Sequence, residues 1–191
     1  MKAKAAYLGL NRSTGPIGKL VTWVQAPIPT LFGMADQVPT HSRLGFIMED
    51  DSACYFEALE GHGGRGPRPE RWVQAWAVTK SDRWTRCFRL PIEPDDCESI
   101  HQGCLDHLDL WEYSIPQLVA VYLNLRFRIP VIESKRRVIC SEAVARWTAG
   151  HFDLRYPGKK HDNTTPLDQW KIARMAHLVE MVYDPVTGAF I

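Results

Sequence analysis

Three side chains of this sequence have the types and settings that acyl transfer requires: Cys140, His41 and Glu57. Cys140 closes the apolar run Val138-Ile139-Cys140 and precedes Ser141 to Thr148, which reads as a helix ended at Gly150. A cysteine at a helix mouth faces free backbone N–H groups and the positive end of the dipole, and both favour the thiolate. A helix end contributes about 0.3–1 kcal/mol, less than one pKa unit at about 1.36 kcal/mol, so the thiolate also needs a cationic partner. His41 can supply it: it follows Pro39-Thr40 and opens a strand-like run that would hold an imidazole rigidly at the edge of a cleft. Glu57 sits inside an apolar strand, where a carboxylate is costly unless it accepts hydrogen bonds or meets a cation. If the two strands pair, Glu57 can lie beside His41 and fix its tautomer, completing a set of nucleophile, base and orienter. Glu60 is the alternative third member. The plainer readings stay open: a small buried thiol for Cys140 and a hydrogen-bonded strand-end residue for His41.

Two other patterns imitate chemistry. Cys97, His101, Cys104 and His107 have metal-like types and spacing. On one helix they are spread over ten steps of about 1.5 Å, too far for four side chains to converge on one ion, so an ordinary helix face and no metal are expected. Gly61-His62-Gly63-Gly64-Arg65-Gly66 fits a dinucleotide pattern, but Pro67 and Pro69 follow and no helix opens there to receive a pyrophosphate. It is expected to be a turn beside the proposed cleft, and no cofactor is expected. Lys135-Arg136-Arg137 and Lys159-Lys160-His161 are short basic runs that read as solvated faces.

The elements that must position these residues follow from periodicity and punctuation. Gly18 to Ala26 reads as a short helix ended by Pro27. Arg43 to Met48 and Cys54 to Leu59 flank the turn Glu49-Asp50-Asp51-Ser52 as an antiparallel pair. Trp72 to Thr79 and Trp84 to Leu90 read as two more strands around Lys80-Ser81-Asp82-Arg83, as in a hairpin. From Pro94, with Asp95 and Asp96 in a first turn, a helix is expected to about Leu110. Val119, Val121, Leu123, Leu125, Phe127 and Ile129 alternate as a strand would. Leu118, Val121, Tyr122 and Leu125 also share one helical face after Pro116, and helix is the preferred reading. Thr165 and Pro166 cap and open a last helix expected to run to about Tyr183. The fold class is α+β.

Composition narrows the function. The chain has 191 residues, 45% hydrophobic and 24% charged, which at about 100–200 residues per domain implies one compact domain over 1–191. With 23 basic and 22 acidic residues there is no field to hold a phosphate backbone, so nucleic acid is not an expected partner. No stretch reaches the roughly 20 apolar residues of a spanning helix. The basic start Met1-Lys2 leads to Asn11 and Arg12 too soon for a signal peptide, so a cytoplasmic protein is expected. An odd count of five cysteines favours free thiols in a reducing compartment.

At the three chemical residues the chain resembles the NlpC-type permuted papain-like cysteine hydrolases and amidases. Thr40-His41 followed by Gly45-Phe46-Ile47 is similar to the family's His strand, and Tyr55-Phe56-Glu57-Ala58 to its acidic strand. Val138-Ile139-Cys140-Ser141-Glu142 resembles the start of its Cys helix. Thr165-Pro166-Leu167-Asp168 resembles the Pro-containing turn that often follows. Family members commonly have one residue between His and Gly, whereas Ser42-Arg43-Leu44 stand here, a change that keeps strand parity. The resemblance implies a circularly permuted papain-like domain with an antiparallel sheet packed against helices. It also implies a Cys140, His41 and Glu57 triad cleaving a small peptide, amide or other acyl substrate, a cell-wall peptide among the options. The same constellation could pass the acyl group to an alcohol or amine, and a non-catalytic binding or phage-type structural module could keep the fold.

Overall fold

The structure, a computed structural model, describes residues 2–11, 16–25, 38–58, 73–77, 86–108, 110–129, 136–181, 183–184 and 189–190. It is mixed α+β, with an antiparallel sheet packed against helices. The strands of the main sheet are β1 (Ala3–Asn11), β2 (His41–Met48), β3 (Ala53–Ala58), β4 (Val73–Ala77), β5 (Arg86–Arg89) and, near the chain end, β8 (Glu180–Met181). Their order is β4-β3-β2-β1-β5-β8.

Ala3–Asn11, in the segment whose basic start is too short for a signal peptide, forms an inner strand of this sheet. Ala5 to Leu10 is a short continuous apolar run, the mark of a strand covered on both faces, and Tyr7, Leu8 and Leu10 are fully buried. β2 and β3 form the expected antiparallel pair, with Leu44 opposite Phe56 and Phe46 opposite Cys54. β4 and β5 form as strands but are not hairpin partners. β4 joins β3 and β5 joins β1, because β1 occupies the free edge of β2 and offers its own outer edge to β5.

Alternation gives the sheet two characters. Ala6, Leu8, Leu10, Leu44, Phe46, Phe56, Phe88 and Leu90 belong to the main core. Packed with them are Cys97, Ile100 and Cys104 of α2 (Pro94–Asp106) and Ala143, Val144 and Trp147 of α4 (Cys140–Trp147). On the opposite parity Tyr7 lies against Gly45, so closely that a Cβ at position 45 would collide with the phenol ring. That explains a glycine in the middle of β2.

α1 (Pro16–Gln25) lies beside α3 (Ile115–Phe127), with Trp23 and Tyr122 ring centroids 6.4 Å apart. Burial shows why α3 is a helix despite its alternation: Val121 is 3% and Val119 50% exposed, although a strand would put both on one face. Ser114 caps it, its Oγ accepting from Gln117 N–H at 3.0 Å. α2 ends at Asp106, short of Leu110, with His107 N–H bonding back to Cys104 O. α5 (Pro166–Met175) likewise ends well before Tyr183. His177 turns left-handed at φ 51°, and the N–H groups of His177 and Leu178 return to the Arg174 and Ala173 carbonyls. Glu180–Met181 is then free to pair with β5.

Candidate active site

Two junctions of the fold set the site: the start of β2 and the first turn of α4. Thr40 N–H donates to Asn11 O at 2.9 Å, and Gln25 Nε2 donates to Pro39 O at 3.2 Å, so His41 enters the sheet with its backbone already fixed. The parallel pair β6 (Glu112–Tyr113) and β7 (Arg137–Val138) delivers the chain to α4, where Ile139 is still extended and Cys140 is the first helical residue. That turn is tied on several sides. Ser141 Oγ donates to Thr164 O at 2.7 Å, Gln169 Nε2 donates to Ser141 O at 2.8 Å, and Glu142 Oε2 accepts from Ile139 N–H at 3.4 Å.

The structure brings Cys140, His41 and Glu57 together. His41 Nε2 donates to Glu57 Oε2 at 2.8 Å, which leaves Nδ1 for the side-chain hydrogen bond that His41 shares with Cys140. Burial disfavours the charged ring, but the Cys140 thiolate and then Glu57 outweigh it and hold the His41 pKa up at about 9. Burial also opposes the Cys140 thiolate. The His41 charge and hydrogen bond, with help from the backbone N–H groups of Ser42 and Ser141, overcome it and lower the thiol pKa below its ordinary value. The other four cysteines behave oppositely: burial pushes Cys54 and Cys97 up to about 11, and Cys87 and Cys104 well above the usual thiol range. Cys140 is thus the one thiol of the chain held toward its anion, at 6% exposure.

One neighbour escaped the sequence reading. Arg43 Nε lies 2.6 Å from Glu57 Oε2, the same oxygen that His41 uses, and its guanidinium stands 4.5 Å from the Tyr55 ring centroid. In the sequence Arg43 looks like one polar residue of an alternating strand. Its only signal is the two-residue offset from His41, which puts both side chains on one face of β2.

Comparison with family models, curated proteins and solved structures finds no match to this chain.

The remaining sequence patterns are placed apart from it. Cys97 Sγ contacts Ile92 O at 3.6 Å, and the His101 ring meets Phe46 and Phe56 edge-on at 5.1 and 5.6 Å. Cys104 is buried. His107 Nδ1 donates to Gly103 O at 2.6 Å and its ring stacks on Trp111. Among the described residues no group of three or more His, Cys, Asp or Glu is placed to hold a metal ion, and no helix is long and apolar enough to cross a membrane. Arg136 and Arg137 are exposed, whereas Lys159 Nζ bonds Asp168 Oδ2 at 2.7 Å next to the Thr165 cap. Glu60, Gly61 to Gly66 and Lys135 lie outside the described residues.

Proposed function

We propose that the protein is a cysteine hydrolase of the permuted papain-like, NlpC type, acting on an amide or another acyl bond through a thioacyl intermediate on Cys140. The observation that carries this reading is the continuous chain from the Cys140 thiol through His41 to Glu57 Oε2. The order His strand, acidic strand, Cys helix and the helix lying on the sheet agree with it.

The Cys140 thiolate attacks the carbonyl carbon, and the carbonyl electron pair moves to oxygen. The Cys140 backbone N–H, in the first turn of α4, stabilises that oxyanion. As the tetrahedral adduct collapses, His41 gives its Nδ1 proton to the leaving amine or alkoxide, the C–N or C–O bond breaks, and a thioester remains. His41, now neutral, takes a proton from water, hydroxide adds to the thioester, and the thiolate departs beside the re-formed imidazolium. An alcohol or amine replacing that water makes the same site a transferase. Glu57 keeps Nε2–H bonded throughout, so Nδ1 faces the reacting atoms.

The experiment is incubation with a panel of peptide, ester and thioester substrates, with mass spectrometry of quenched samples. Turnover with an acyl adduct on Cys140, both absent from a folded Cys140→Ala variant, is expected. Turnover that survives Cys140→Ala, or a Cys140 that mild thiol reagents label no faster than the other cysteines, overturns the proposal in favour of a non-catalytic module or another chemistry.

A further inference from the structure

Glu57 serves two cations with one oxygen. His41 Nε2 is 2.8 Å and Arg43 Nε 2.6 Å from Oε2, and the Glu57 side chain is 3% exposed. A carboxylate so buried is costly unless cations and hydrogen bonds face it. In the cycle above His41 cannot be such a cation at every stage, because it is neutral from the moment it protonates the leaving group until it takes a proton from water. The Arg43 guanidinium gives the same oxygen a second cationic partner.

We propose that Arg43 is a positioning residue for this site: it holds the Glu57 carboxylate in place while His41 passes between its charged and neutral forms. This rests on the thiolate–imidazolium reading of Cys140 and His41.

The guanidinium is itself fixed. It lies over the Tyr55 ring and, with the Asn11 amide turned so that its oxygen faces Arg43, Nη2 donates to Asn11 Oδ1 at 3.2 Å. Asn11 is the register partner of His41 on β1. Arg43 therefore spans β1, β2 and β3 on the face that carries His41. Among the described residues, the charged groups that act here are Cys140 from α4, His41 and Arg43 from β2 and Glu57 from β3. β1 contributes the neutral Asn11 and Tyr7. In the active form two positive and two negative charges balance, and loss of Arg43 leaves the cluster net negative.

The test needs no substrate. The pH dependence of Cys140 alkylation by iodoacetamide reports formation of the thiolate, and an NMR titration of the His41 ring reports loss of the imidazolium. A net negative cluster favours every bound proton, so Arg43→Gln is expected to move both midpoints to higher pH by about one unit. Arg43→Lys, which restores the charge, should hold them near their original positions. Arg43→Gln combined with Glu57→Gln, which removes one charge of each sign, should also return them most of the way. Unmoved midpoints in folded Arg43→Gln, or midpoints in Arg43→Lys displaced by a full unit, overturn the role of Arg43 while leaving the cysteine site intact. Absence of preferential Cys140 alkylation in the unaltered protein overturns that role together with the hydrolase reading.

Discussion

His41 and Glu57 meet across adjacent strands, Nε2 to Oε2 at 2.8 Å, although the turn Glu49 to Ser52 separates them in the chain. The pairing of Leu44 with Phe56 puts Arg43 and Glu57 side by side, and His41 approaches the same carboxylate from one strand step further along. This diagonal is what commits Nε2 to the carboxylate and turns Nδ1 to the thiol.

The raised pKa of His41 and the lowered pKa of Cys140 fix the sign of the pH dependence. The imidazolium persists until pH rises through about 9, and the thiolate forms at lower pH than an ordinary thiol's does. Near pH 6.5 iodoacetamide should therefore label Cys140 faster than the other four cysteines, whose thiols burial holds protonated. His41→Ala should abolish most of that advantage. Amide hydrolysis should fall above about pH 9, as the ring loses the proton owed to the leaving group, while alkylation continues. Peptide mapping after timed labelling, and rate profiles across pH, check both limbs.

Glu57→Gln should separate orientation from nucleophilicity. The amide can still accept from Nε2–H but cannot balance the imidazolium, so turnover should fall about 10- to 100-fold, against at least about 10⁴-fold for Cys140→Ala. The same change takes the carboxylate from Arg43, whose side chain is 16% exposed. A loss of about 2 kcal/mol, or roughly 4–8 °C in Tm, is therefore expected. Kinetics and thermal melts on the two variants decide it.

Gly45→Ala should destabilise the sheet without touching a reactive group. The new methyl would meet the buried Tyr7 ring, whose hydroxyl donates to Cys54 O at 3.3 Å. Overpacking of this kind costs about 1–3 kcal/mol. Urea unfolding should show that loss with the slope unchanged, and Tyr7→Leu combined with Gly45→Ala should be less damaging than the two single effects added.

Dialysis against a strong chelator should leave Tm unchanged. Cys97 and Cys104 face the core and His107 is bonded to Gly103 O, so Cys97 to His107 has side chains committed elsewhere. One equivalent of tightly bound zinc, with a large fall in Tm on its removal, would contradict this placement.

What the sequence determined by itself was local. Pro116, Thr165 with Pro166, and the apolar run before Cys140 mark helix starts, because caps and first-turn prolines act within one turn of chain. The β2–β3 pair was equally legible, since a short turn leaves two apolar runs little choice of partner. Placement of Cys140 at a helix mouth needed no more than that. Partnerships across distance were decided only by tertiary structure. β1 enters between β2 and β5, β4 and β5 part company, and Glu180–Met181 leaves the helical pattern to complete the sheet edge, all because strand edges are satisfied by whichever segment the core brings near. The shift of the Cys140 thiol also belongs to that level. A helix end supplies less than one pKa unit, and the rest comes from an imidazole 99 positions earlier in the chain. Arg43 shows the limit most clearly. Its charge, spacing and strand are all visible in the sequence, yet its nearness to Glu57 Oε2 depends on a register that the packed sheet alone sets.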